Sequence, residues 1–214
     1  MSEHVRVPEV SRGRKRRSSE ALRNELLDSA TQLFARHGVE SVNSNQIARG
    51  AGVGVGSFYN QFKDKWEIQQ AVMLRTLEGL RDHLGRGAAP ASAPVETQVR
   101  ALVDSVLSFA LERPEAFRVA FSSEAPARRP APGGEGGPRP QVGYSTRVTE
   151  RRLEELQRAG RLDPAIHPAV AARAFVAMQN AVVCWWLDDP SRASREEVGE
   201  TLVRLHPAIA ARLD

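Results

Sequence analysis

The stretch "AGVGVGSFYNQF", residues 51–62, sets glycine at every second position, Gly52, Gly54 and Gly56, then two phenylalanines four apart. Alternate glycines suit three jobs: cradling a phosphate, breaking a helix, or making a tight turn. A dinucleotide fingerprint needs G-x-G-x-x-G after a strand. Here the sixth position is Ser57 and the residues before it have helical periodicity, and the chain holds no G-x-x-x-x-G-K-[ST]. The turn reading accounts for more. Gly52 falls where the preceding helix must reverse, and glycine takes positive φ there without a steric penalty. Val53 then plugs the angle between two helices, and Gly54 is an acceptable N-cap. Gly56 and Ser57 keep the next first turn slim, while Phe58 and Phe62 face inward together. Upstream, "SVNSNQIARGAG" predicts a short helix capped by Asn43, with Gln46 completing a capping box. Two short helices about a glycine turn make a helix-turn-helix over about residues 44–61.

The rest of the chain is also helical, and no alternating strand pattern appears. "SEALRNELLDSATQLFARHG" carries Leu22, Leu26, Ala30, Leu33 and Phe34 on one stripe, with Ser19 as N-cap and Gly38 as stop. Asp64 caps the helix after Phe62, with Glu67 as its capping-box partner. That helix is long enough to link a small N-terminal unit to the remainder of the chain. Further helices are expected in "VETQVRALVDSVLSFALERP", which Pro114 ends, in "PEAFRVAF", which Pro114 opens, and around 143–159 with a stop at Gly160. "HPAVAARAFVAMQNAVVCWWLDDP" is apolar on several sides and so must be buried on several sides. A last stripe begins at the Ser194/Glu197 capping box, runs through Leu213, and kinks or restarts at Pro207. The count is about nine helices, an all-α chain. Residues 122–141 contain five prolines and four glycines, too many for a packed element, and are read as a mobile loop.

Charge separates one end from the rest. The chain has 214 residues and a net charge of +4. Residues 1–17 hold six basic against two acidic side chains and almost nothing to bury, so the remainder is neutral overall. Such an arm stays disordered until an anionic partner arrives. No run approaches the roughly 20 apolar residues of a membrane span, and the first residues lack the apolar core of a secretory signal. The lone Cys184 rules out an internal disulfide, and the five histidines lack metal-ligand spacing. A cytoplasmic setting is expected, with no cofactor, no metal and no membrane partner. Cys184 reads as a small inert hydrophobe rather than a redox sensor.

Residues 20–67 resemble the DNA-binding domain of the tetracycline-repressor (TetR) family. The resemblance rests on "LLDSATQLFARHGVESV" and "QIARGAGVGVGSFYNQFKDKWEI": Ile47–Ala48, Ala51–Gly52–Val53, Gly56, Phe58–Tyr59, Phe62 and Lys65 fit the family's pattern. Gly54, Val55, Ser57 and Gln61 depart from it, at positions where the family often has Ser or Thr, a basic residue, Thr and His. The resemblance implies domains at 18–66 (DNA binding) and 67–214 (helical, effector-binding and dimerising through its last two helices), behind the arm at 1–17.

The helix at 54–61 is then the candidate reader of a major groove, the groove that carries a full base code. Val55 suits a thymine methyl, and Ser57 and Asn60 suit bases or phosphates. Tyr59 and Gln61, following the family, suit phosphates, which position without specifying. Asn43 and Ser44 offer backbone N–H groups to a phosphate at one helix start, and Lys65 serves at the next. From 18 to 75 six basic residues meet six acidic ones, so long-range attraction falls to the arm, with Arg14, Lys15, Arg16 and Arg17. Met73, Phe109, Phe117, Phe121, Tyr144 and Met178 are candidates to line an effector pocket, with plain packing as the alternative. Phe175, Val182, Trp185, Trp186, Val198, Leu202 and Leu205 are candidates for a homodimer interface. The expected function is a sequence-specific regulator, a repressor released from a palindromic operator on double-stranded DNA by a small-molecule effector. The alternatives are a DNA-binding protein without an effector and an all-helical enzyme, for which no catalytic constellation stands out.

Overall fold

A computed structural model describes residues 18–121 and 143–210. The basic arm with Arg14–Arg17, the 122–141 loop and Leu213 lie outside the described residues. Among the described residues there are ten α-helices: α1 (Ser19–His37), α2 (Ser44–Gly50), α3 (Val55–Tyr59), α4 (Lys65–Gly87), α5 (Val95–Glu112), α6 (Pro114–Phe121), α7 (Tyr144–Arg158), α8 (Pro168–Asp188), α9 (Arg195–Leu205) and α10 (Pro207–Ala210).

The helix ends obey local chemistry. Ser18, one residue before the expected cap, accepts from the Ala21 N–H and starts α1. Asn43 with Gln46, and Ser194 with Glu197, form complete capping boxes on α2 and α9. Asp64 accepts from the N–H groups of Trp66 and Glu67. The Glu67 carboxylate, however, turns to the Lys63 N–H and not to that of Asp64, so this box is half formed. Pro207 gives a fresh start: its ring cannot continue α9, and a separate short helix comes after His206.

Two interiors result. The N-terminal one gathers Leu26, Ala30 and Phe34 of α1, Ile47 and Ala48 of α2, Phe58 and Phe62, and Ile68 and Val72 of α4. It therefore reaches past residue 66, and α4 belongs to both halves. It also takes one residue from far along the chain, Val119 of α6, which is 6% exposed. The second interior is built by the lower part of α4 and by α5–α10, around Val103, Leu107, Phe109, Phe117, Leu153 and Trp186. Arg118 ties α6 to the end of α8, donating to an Asp188 carboxylate oxygen at 2.9 Å and to the Leu187 carbonyl.

The helix α8 is long and apolar enough to cross a membrane by length and composition. Its buried face, with Ala172, Phe175, Val176, Val183 and Trp186, belongs to the protein core. The buried indole N–H of Trp186 is satisfied by the Ala193 carbonyl at 2.8 Å. Cys184 is also buried, and desolvation pushes its thiol up to about 11, so it remains protonated.

Candidate nucleic-acid interface

The turn between α2 and α3 is a Schellman motif. Gly52 has φ +66°, its N–H donates to the Arg49 carbonyl, and the Val53 N–H reaches back to the Ala48 carbonyl, both at 3.0 Å. Val53 packs against the N-terminal core as the plug the sequence suggests. A second glycine is required for a different reason. The Ser29 hydroxyl of α1 donates to the Ile47 carbonyl at 2.9 Å, so the helices approach closely, and a Cβ at Gly50 would collide with Ser29 Oγ.

Gly54 starts α3 in extended backbone without any side-chain cap. On this five-residue helix Phe58 is wholly buried, while Val55 is 41% and Tyr59 57% exposed. Val55 and Tyr59, one turn apart, share the outward face, and Asn60 beyond them is exposed as well. The Tyr59 ring stands edge-on to Phe58, centroids 5.3 Å apart, which steadies an otherwise free aromatic. Ser57 is half-buried. Ser44 is the first residue of α2, and the side chain of Asn43 is already committed to the Gln46 N–H at 3.0 Å.

Two predicted contacts are held by the fold itself. Gln61 donates through Nε2 to Ser19 Oγ at 2.9 Å, and its carbonyl accepts from Arg23, whose guanidinium lies 4.4 Å over the Phe62 ring. The end of α3 is thus stapled to the start of α1. Lys65 Nζ donates to the carbonyls of Val39 and Glu40 at 3.1 and 3.0 Å and lies 4.8 Å over the Trp66 ring. It pins the α1–α2 connection, and the Glu40 carboxylate lies a further 3.8 Å from the same ammonium. Nothing in the sequence indicates Arg23 or Ser19 as partners, because the contacts span about forty residues. Asn45, Arg49 and Lys63 are exposed polar residues around the motif that sequence reasoning passes over.

The second half offers a cleft of about 370 Å³ between the end of α4, the start of α5, and α7, with His206 in its wall. None of the five expected pocket residues whose side chains are described lines it. Phe109 and Phe117 are buried in the second interior, with Phe121 and Met178 packed against it. Phe117 and Phe121 fill space against each other at 4.6 Å. Met73 is half-buried on α4, and the side chain of Tyr144, the first residue of α7, is outside the described set. The seven expected dimer residues divide likewise. Phe175, Trp186, Val198 and Leu202 are interior to the single chain, Val182 is half-buried, and Trp185 and Leu205 are exposed. Along α8 the outward stripe is Val170, Ala174, Ala177, Ala181 and Trp185.

Residues 26–72 match the model of the bacterial regulatory proteins of the tetR family. An HTH-type transcriptional regulator of Staphylococcus aureus (strain USA300) is 35% identical over 63 residues, 29% of this chain and 34% of that one. The match thus spans about a third of such curated relatives. A tetR-family regulatory protein from Rhodococcus RHA1 superposes with a TM-score of 0.72 at 17% identity, over 90% of this chain and 98% of that one. The complex of SmeT with triclosan superposes with a TM-score of 0.65 at 21% identity, over 91% and 92%. At such identities these structures speak for the fold, while the matched N-terminal sequence speaks for the head. The helix-turn-helix with its outward α3 is thus a head of the tetR-family type, and the described chain shares its overall fold with solved tetR-family regulators.

Proposed function

We propose that the chain is a DNA-binding transcriptional repressor that works as a homodimer and is released from a palindromic operator by a small molecule. The observation that carries the reading is the outward face of α3: a valine and a tyrosine exposed on a five-residue helix whose Phe58 is wholly buried. Exposed apolar side chains on so short a helix are explained by a partner surface, and a major groove accepts a helix and offers thymine methyls. Ser57 and Asn60 supply polar contacts around them, and the Lys65 ammonium, held by the fold, adds positive charge beside them. The basic arm supplies attraction at a distance, since the head itself is neutral.

The stripe of small residues on α8 ending at Trp185 supports pairing of two copies through that helix. Two heads then meet half-sites about one helical turn apart or somewhat more. The cleft favours an effector over a filled second half, its volume falling in the range of small-molecule sites. SmeT, in its triclosan complex, is a protein of this fold that takes a small organic molecule.

Selection of bound duplexes from a random pool tests the reading. A two-fold symmetric consensus is the expected result, and failure to enrich any duplex overturns it. Compounds are then screened for release of the selected duplex, monitored by fluorescence anisotropy.

A further inference from the structure

The cleft has a wall that selects for chemistry. Leu84, Val95, Val99, Leu102 and Val148 make it apolar. Among the polar groups set into it, which include Gln98 and Ser145, two carry buried donors without partners. Thr149, 2% exposed, sets a hydroxyl into the wall. Arg152 holds Glu155 through Nη1 at 3.0 Å, while its Nε–H is buried and unpartnered. His206, 2% exposed, accepts the Ala208 N–H on Nδ1 at 3.1 Å, which leaves the imidazole proton on Nε2. That N–H is also buried without a hydrogen-bond partner. Desolvation holds this histidine down to about 4, so it is a neutral donor at pH 7. Arg151 lines the cleft, exposed and without an ion pair among the described residues. The one carboxylate in the lining, Glu155, is already engaged by Arg152.

Buried donors without acceptors are costly, and a ligand oxygen that reaches them removes the cost. A cation finds no free carboxylate here. A polyanion such as a nucleotide has no use for the apolar wall. An alcohol brings one oxygen, whereas a carboxylate brings two oxygens and about four acceptor sites. We infer that the cleft binds a small amphipathic carboxylate, its hydrocarbon body on the apolar wall and its oxygens on Thr149, Arg152 and His206. The inference rests on the effector reading of the same cleft, whose consequence for DNA is measured separately.

Calorimetry on the full chain with octanoate, 1-octanol and octylamine tests it. Octanoate binds, 1-octanol binds about tenfold more weakly, and octylamine does not bind. Arg152→Met weakens octanoate about tenfold and leaves 1-octanol unchanged, a split that partial unfolding does not produce. Leu102→Trp, at a half-buried wall position, fills the cleft and abolishes both while the thermal midpoint holds. Absence of octanoate binding, octylamine binding as tight as octanoate, or an Arg152→Met variant that binds octanoate normally each overturns the inference. Anisotropy with the selected duplex separates the two readings. Octanoate that binds without releasing DNA sustains the site and sinks the effector role; release by other compounds with no octanoate binding does the reverse.

Discussion

Single residues fix the angle at which α3 is presented. The joint at Gly50 is a pair problem, because the Ser29 hydroxyl occupies the space a side chain would need. Gly50→Ala is expected to cost about 1–3 kcal/mol through overpacking. Ser29→Ala costs about 1 kcal/mol, since the Ile47 carbonyl keeps its bond from the Ala51 N–H. In the double variant the collision is gone, so urea unfolding shows the two losses to be non-additive by about 1 kcal/mol. His206 gives a second prediction. Its folded pKa lies below the unfolded value, so the unfolded chain binds the proton first. Its contribution is fully present above about pH 6.5 and is lost as pH falls toward about 4, on the order of 3 kcal/mol in all. Urea midpoints at about pH 7.5, 6 and 5 track this loss, and His206→Gln, which keeps an acceptor for Ala208, flattens it. Caps such as Asn43 with Gln46 and the reversal at Gly52 are readable in sequence because their partners lie within a few residues. Gly50, Lys65 and Gln61 are not, because the partners that fix them lie 21 to 42 residues away.

Among the helices, α8 and α6 are the most instructive. Periodicity identifies α8 as apolar on several faces, which is correct, yet it cannot say which face meets its own chain. Phe175 and Trp186 turn inward, and the outward stripe is made largely of alanines, which stand out less in a hydrophobic pattern. Phe109, Phe117 and Phe121, expected around a pocket, pack into the interior instead, while the cleft is walled mainly by aliphatic residues of α4, α5 and α7. The short α6 bridges the two interiors, giving Val119 to one and Phe117 to the other. Arg118→Met removes its tie to Asp188 and Leu187. The expected outcome is near-normal DNA affinity in the unliganded protein with a reduced ratio of affinities on adding a releasing ligand, coupling of this kind being worth about 1–3 kcal/mol. An unchanged ratio by anisotropy rules out this route.

In the proposed dimer, pairing and charge together set how the protein finds and holds DNA. Ala177→Glu places a carboxylate in the middle of the α8 stripe without touching the monomer core. Light scattering is expected to show monomers, and operator binding falls to the level of a single head; a dimer that persists puts the interface on another face. Removing residues 1–17 is expected to weaken binding and flatten its dependence on salt, by a slope of about 0.9 for each phosphate the arm no longer neutralises. An unchanged slope means that the neutral head gathers its own attraction. The burial of Val119 also bears on how the protein is made. The head borrows part of its interior from a helix translated long after the reading helix. A nascent chain that has emerged only as far as α4 has nothing to fill that position, so the surface that carries α3 reaches its final firmness only once synthesis has passed α6.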